Sequence, residues 1–278
     1  MRVDVLLVER GLADSRSQAQ RLVMAGQVRV NGQVVLKPSQ AVAADAGLAV
    51  DQGPPFVSRG GEKLQAALEQ FDLDVSGRIC ADVGASTGGF TDCLLQRGAA
   101  RVYAIDVGQG ILHWKLRQDP RVVVMEKTNA RFINILPEGV QLITIDASFI
   151  SLKILLPVVY NWFAKPASEP GDLSNPTKQG DVIALIKPQF EVGRVIAAKG
   201  DGVVRDPEIH RDVLLDLLSF TQREGYGVQD LMRSPLLGPK GNTEFLAHLV
   251  YPGTPLANLD TMVEKALGTG SPDSPSLA

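Results

Sequence analysis

The hydrophobic pattern changes period twice along the chain. In the first fifty residues apolar positions fall at helical spacing and then alternate. Val5, Leu6, Val8 and Leu12 outline one short helix ending near Gly11. Ser15 is a candidate N-cap for a second, with Gln18 as its capping-box partner, Ala19, Leu22 and Val23 as its apolar face and Gly26 as its stop. Val28-Arg29-Val30 and Gln33-Val34-Val35 flank Asn31-Gly32, a strong hairpin signal. Residues 1–50 therefore predict a small α+β domain. Residues 51–61, with two Pro and three Gly, read as a linker.

From residue 62 the pattern alternates between helix and strand. Strands are expected at Ile79–Val83, Val102–Ile105, Val122–Met125, Leu142–Ile145, Val182–Ile186 and Phe245–Val250. Helical periodicity fills Glu62–Phe71, Gly89–Arg97 and Glu208–Arg223. This rhythm predicts an α/β fold with a doubly wound, mostly parallel sheet over 62–252, whose ligands sit beyond the carboxyl ends of the strands. Lys165–Gly180 reads as a mobile surface insertion, and 253–278 as a tail, disordered after Gly268.

The 278 residues suit one large domain or two unequal ones. No apolar run reaches the ~18 residues of a membrane span, and Asp4, Glu9 and Arg10 interrupt any secretory segment. Cys80 and Cys93 form neither a disulfide framework nor a four-ligand metal site. A soluble cytoplasmic protein is expected. The net charge of −3 argues against a nucleic-acid partner, yet Ser15–Lys37 carries Arg16, Arg21, Arg29 and Lys37 and no acid. These cations could converge on one phosphate backbone.

Ser15-Arg16-Ser17-Gln18-Ala19, followed by Ala25-Gly26-Gln27-Val28-Arg29-Val30-Asn31-Gly32, resembles the S4-type RNA-binding domain. The resemblance implies recognition of structured RNA by shape and backbone.

Candidate chemistry begins where a strand runs into Asp82-Val83-Gly84-Ala85-Ser86-Thr87-Gly88-Gly89-Phe90. A P-loop would need a lysine where Phe90 stands. A dinucleotide fingerprint would need a glycine in place of Ser86. Gly84-Ala85-Ser86-Thr87-Gly88 matches the nucleophile elbow of a serine hydrolase, which would also require a His among His113, His210 and His248. The fourth reading is S-adenosylmethionine, a sulfonium without phosphates. Asp82 would suit its aminoacyl end, and Asp106, 22 residues after Gly84, its ribose hydroxyls. Asp82, residues 84–90, Asp106 and Asp146 are the candidate cofactor contacts.

Lys63, Asp146, Lys187 and Glu244 sit just after the linker or beside strand ends. Together they form a candidate site. Val57-Ser58-Arg59-Gly60-Gly61-Glu62-Lys63-Leu64, the glycine turn, Asp146-Ala147-Ser148-Phe149-Ile150, Leu185-Ile186-Lys187-Pro188-Gln189-Phe190-Glu191 and Gly241-Asn242-Thr243-Glu244 resemble the TlyA (haemolysin A) family. The resemblance runs from about residue 2 to residue 252. It implies an S4-domain, FtsJ-like, Rossmann-like methyltransferase that modifies ribose 2′-hydroxyls, at cytidine, in 16S or 23S ribosomal RNA or ribosomal subunits. It also implies a catalytic tetrad of Lys63, Asp146, Lys187 and Glu244, with Arg59 beside Arg16, Arg21, Arg29 and Lys37 as an RNA contact. Lys187 would accept or steer the hydroxyl proton, which as a base requires a depressed pKa, with Lys63 as the neighbouring cation. Asp146 and Glu244 would orient the lysines. Asp146-Ala147-Ser148-Phe149 lacks the two prolines of an N-methyltransferase motif, and both cysteines look like packing residues rather than a carbon-methylation nucleophile. Gly202-Val203-Val204-Arg205-Asp206-Pro207 is a candidate substrate-side loop, or Asp206 a helix cap. Competing functions are a haemolysin-type toxin, a non-catalytic RNA-binding assembly factor and the serine hydrolase.

Overall fold

A computed structural model of the chain describes residues 1–51, 53–164, 179–192 and 202–268. The expected insertion (but for its last two residues) and the tail after Gly268 lie outside the described residues. The chain separates into two compact units, Met1–Pro55 and Phe56–Ala278.

The first unit contains α1 (Val3–Glu9), α2 (Arg16–Met24), β1 (Val28–Val30), β2 (Gln33–Val35) and β3 (Leu48–Val50). Ser15 caps α2 by accepting from the Gln18 amide. The hairpin turns at Asn31 and Gly32, both at positive φ, and β3 adds on the other side of β1. Val3, Leu7, Ala19, Val23, Val28 and Val35 form its core.

The second unit is a seven-stranded sheet between helices. Its elements are α3 (Gly60–Gln70), β4 (Ile79–Val83), α4 (Gly89–Gln96), β5 (Arg101–Ile105), α5 (Trp114–Arg117), β6 (Val122–Met125), β7 (Leu142–Ile145), α6 (Leu152–Val159), β8 (Gly180–Ile186), α7 (Pro188–Glu191), α8 (Pro207–Arg223), β9 (Gly227–Arg233), β10 (Phe245–Tyr251) and α9 (Asp260–Leu267). The strand order is β6-β5-β4-β7-β8-β10-β9. β6 to β8 are parallel, and β10 runs antiparallel to both β8 and β9.

Strand alternation sorts the core into two layers. Ala81, Val83, Ile143, Ile145, Val182, Ala184 and Ile186 pack with apolar residues of α6, α8 and α9. Cys80, Leu142, Ile183, Leu185 and Leu246 pack with Leu64, Ala67, Phe90 and Leu94 of α3 and α4.

Three expectations change. The segment read as linker ends early: Phe56 is buried, and α3 begins at Gly60, so the second unit starts about six residues before 62. A Cβ on Gly61 would lie 2.2 Å from the Phe56 ring, so this glycine admits the aromatic anchor. The second unit also continues past 252, because α9 buries Val263 and Ala266 in the sheet's core. β9 lacks clean alternation, with Gln229 exposed and Asp230 half-buried, and was not expected from sequence.

Candidate active site

The strand reversal positions the site. β10 is antiparallel to β8 with Phe245 opposite Ile186, so Glu244 lies beside Lys187, where the parallel strands end. Alternation does the rest. Asp146 continues the face of Leu142, Lys187 that of Ile183 and Leu185, and Glu244 that of Leu246. All three therefore face the layer containing α3, which supplies Lys63.

Lys63 Nζ donates to Glu244 Oε2 at 2.5 Å, and Lys187 Nζ lies 2.6 Å from Asp146 Oδ1. Lys187 also donates to Ser148 Oγ at 2.9 Å. The four expected tetrad residues thus form two ion pairs lining one cavity of about 400 Å³. Arg59, Thr87, Gly89, Phe90 and the Leu236–Pro239 loop complete its wall. Glu244 is 1% exposed, and its Oε1 has no hydrogen-bond partner among the described residues.

A second cavity of about 610 Å³ opens on the other side of the glycine turn. Asp106, Thr128, Asn129 and Arg131 line it, together with Ile105, Val107, Phe149, Ile150 and Leu155. Gly84, Ser86, Asp146 and Ser148 line both cavities and form the boundary between them. Gly84 sits at φ +82, and a Cβ there would lie 2.5 Å from the Asp146 carbonyl oxygen. Only glycine lets the turn approach the end of β7 so closely.

Asp106 directly follows β5. Its Oδ2 accepts from the Ser86 amide at 2.8 Å and its Oδ1 from the Gly108 amide at 2.7 Å. Each oxygen keeps capacity for a further donor, as a pair of ribose hydroxyls requires. Ala85, Thr87, Gly89 and Phe90 line the first cavity.

Asp82 and Gly88 line neither cavity. Asp82 follows Cys80 on the α4 side of β4, where its carboxylate accepts from Thr91 at 2.6 Å and Thr144 at 3.1 Å. It is fully buried, and burial pushes its pKa up to about 7. Its bonds to Thr91 and Thr144 tie β4 to α4 and β7 beneath the turn. Gly88 is the left-handed N-cap of α4.

The hydrolase reading loses its base. His210 Nε2 bonds the Val204 carbonyl oxygen, His248 pairs with Asp181, and His113 Nδ1 accepts from the Lys115 amide. None of these hydrogen bonds joins an imidazole to Ser86. Burial raises both cysteine thiols to about 12, which leaves them protonated at neutral pH.

Arg59 is exposed at the rim of the first cavity. Arg16, Arg21, Arg29 and Lys37 are exposed on the first unit. At ~100° per residue, Arg16 and Arg21 point about 140° apart around α2. Arg16 Nε bonds Asp4 at 3.3 Å, and Asp4 also accepts from Arg2 and Gln20. The Arg2 guanidinium holds the buried Asp4 carboxyl well below its usual range. Asp206 caps α8 by accepting from the Glu208 amide. Val204, just before it, donates its amide to Asn242 Oδ1.

Sequence reasoning missed Arg2, Asp4, Ser148, Glu191 and Gly238. Ser148 and Glu191 lie inside the motifs already singled out, so their polarity was the available signal. No local pattern marks Gly238, whose Cβ would lie 2.0 Å from Glu244 Oε1.

Residues 56–251 match the family model for FtsJ-like methyltransferases, and residues 1–46 match the S4 domain model. The chain is 49% identical to Bacillus subtilis YqxC over 259 residues, covering 91% of this chain and 86% of that protein. It is 46% identical to the 16S/23S rRNA (cytidine-2′-O)-methyltransferase TlyA of Mycobacterium tuberculosis, covering 89% of each. A solved hemolysin-named structure from Streptococcus thermophilus aligns with TM-score 0.70 and 41% identity, covering 96% of this chain and 94% of that one. A match to the methyltransferase model across most of the chain, behind an S4 domain, makes this protein a member of the FtsJ-like methyltransferase family.

Proposed function

We propose that the protein transfers the methyl group of S-adenosylmethionine to a ribose 2′-hydroxyl of ribosomal RNA, at a cytidine of the 16S or 23S molecule. The observation that carries this reading is the junction of the two cavities at Gly84, Ser86, Asp146 and Ser148, with Asp106 on one side and both lysines on the other. A donor and an acceptor held in the two cavities meet at that boundary.

The second cavity fits the donor. Its described lining carries two carboxylates, Asp106 and Asp146, against one guanidinium, Arg131. That balance suits a cation and disfavours a triphosphate. Asp106 would take the donor's ribose hydroxyls, and Ile105, Val107, Ile150 and Leu155 offer apolar walls for its adenine. S-adenosylmethionine supplies an electrophilic methyl carbon on a sulfonium.

The chain's own residues then have defined work. Lys187 uses two of its donors on Asp146 and Ser148, leaving the third position for the acceptor oxygen. Asp146 Oδ1 holds the Lys187 side-chain nitrogen at 2.6 Å. So held, the Lys187 nitrogen would steer the 2′-hydroxyl toward the methyl carbon, stabilising the developing alkoxide as an ammonium or taking up the departing proton as a neutral amine. Lys63, fixed by Glu244, adds positive potential beside the developing alkoxide. Aligning a weak nucleophile with the methyl group accounts for much of the expected acceleration.

Arg16, Arg21, Arg29, Lys37 and Arg59 are proposed to hold the RNA backbone. Ribosomal RNA as substrate places the activity in the cytoplasm. The haemolysin reading has only a relative's name in its favour. Among the described residues no helix is long and apolar enough to cross a membrane. The intact tetrad favours catalysis over a purely structural role in ribosome assembly.

Incubation with methyl-labelled donor and unmodified ribosomal RNA or subunits, followed by alkaline hydrolysis, tests the proposal. Label retained in alkali-resistant dinucleotides at cytidine is expected. Label on a base, or none transferred, would overturn it.

A further inference from the structure

We infer that Glu191 is a positioning residue of the transfer site, holding the 146–151 loop against the strand end that carries Lys187. This inference rests on the methyl-transfer reading above.

β7 and β8 are parallel neighbours with Ile145 opposite Ala184, so Asp146 leaves its strand level with Leu185 and Lys187 follows two residues farther on. The chain from Asp146 to Ser151 then crosses to α6 outside any helix or strand. Within it Phe149 adopts φ +66 and is 90% exposed. A phenylalanine gains nothing intrinsic from that backbone region, so its surroundings must hold the turn there.

Three contacts do so, all from residues 187–191, and in the middle the Phe190 ring packs on Phe149 with centroids 5.0 Å apart. At the front, Lys187 bonds Asp146 and Ser148. At the rear, Glu191 Oε2 accepts from Ser151 Oγ at 2.5 Å, and its Oε1 accepts from the Leu152 amide at 2.9 Å. Ser151 Oγ in turn accepts from the Lys153 amide, so the rear tie also completes the α6 N-terminus.

Glu191 lines neither cavity, whereas Ala147, Ser148, Phe149, Ile150 and Ser151 line the donor cavity. Its effect must therefore travel through the loop. Releasing the rear tie frees one end of the segment that carries Ser148 and the donor-cavity wall. Ser148 then no longer fixes the Lys187 amine. A helix cap with no bearing on the site would alter only stability.

Glu191→Ala and Glu191→Gln, in the full-length protein, separate these cases. Three quantities are read: binding of S-adenosylhomocysteine by calorimetry, kcat on ribosomal RNA at saturating donor, and the melting temperature. Glu191→Ala is expected to lower kcat by about 10- to 100-fold, the scale of a misplacement near 1 Å, and to weaken analogue binding. Glu191→Gln should recover to within about threefold in both, since its amide can accept from Leu152 and donate to Ser151. Wild-type kcat and analogue affinity in folded Glu191→Ala, whatever its melting temperature, would overturn the inference. So would a Glu191→Gln variant as impaired as Glu191→Ala. Should Glu191→Ala not fold, Ser151→Ala decides: it removes one rear bond and should show a smaller loss in the same two quantities, and wild-type values there would overturn the inference. Wild-type protein that binds no analogue and methylates nothing would instead defeat the functional reading, so the two failures are distinguishable.

Discussion

Lys63 and Glu244 lie 181 positions apart in the chain, and their ammonium and carboxylate meet at 2.5 Å beside the second ion pair of the site. Lys63 arrives on a helix at the start of the second unit and Glu244 at the mouth of the antiparallel strand β10. Gly238 makes room for the carboxylate: a Cβ there would stand 2.0 Å from Oε1. The contact therefore joins α3 to the loop that leads into β10 around one buried charge pair.

Breaking that pair from one side leaves a buried charge without compensation. Lys63→Met is expected to destabilise the protein by about 3–5 kcal/mol, measured by chemical denaturation. Adding Glu244→Gln should restore most of the stability and none of the activity. Recovery of methyl transfer in the double variant would remove both residues from the reaction.

Lys187 has a narrower role. Lys187→Ala should lower kcat by about 10²- to 10⁴-fold, the usual contribution of a proton-handling group. Donor binding should change little, because Lys187 lines only the first cavity. Turnover at the wild-type rate would exclude it from proton transfer.

Asp82 gives a pH signature. Burial raises its pKa to about 7 from the ordinary 3.8. A carboxyl with a raised folded-state pKa binds its proton more tightly in the folded protein. The associated stability is complete below about pH 4 and is lost as pH climbs through 7. The stability of Asp82→Asn relative to wild type should therefore rise between about pH 4 and pH 7 and level off above. Paired melting curves across this range check it; a flat difference would show that the buried carboxyl titrates normally.

The cations of the first unit should report through salt. Arg16→Ala and Arg21→Ala are each expected to reduce the slope of log K for RNA against log salt by about 0.7–0.9. Arg16 is also bonded to Asp4, so its removal frees part of that carboxylate. An unchanged slope in both variants would take α2 off the RNA interface.

Much of the fold is legible in the chain because hydrophobic period is a local property. The starts of β4, β6, β7 and β10 fall where alternation and apolar runs place them, and Ser15 and Asp206 cap their helices as their positions suggest. β9 escapes because its exposed and half-buried polar residues blur the period of an edge strand. Phe56 escapes because a Pro- and Gly-rich setting conceals a single buried ring.

The site divides in the same way. The glycine turn, the acid at the end of β5 and, through motif resemblance, the four charged residues were readable along the chain. Tertiary structure decided which charges pair, that Asp82 lies beneath the turn and not in a cavity, and that Glu191 fastens the loop beside Lys187. The physical reason is range. A residue's burial period and backbone preference are encoded by its neighbours in sequence, whereas the partner of a buried charge depends on strand order and direction, which only the closed sheet specifies.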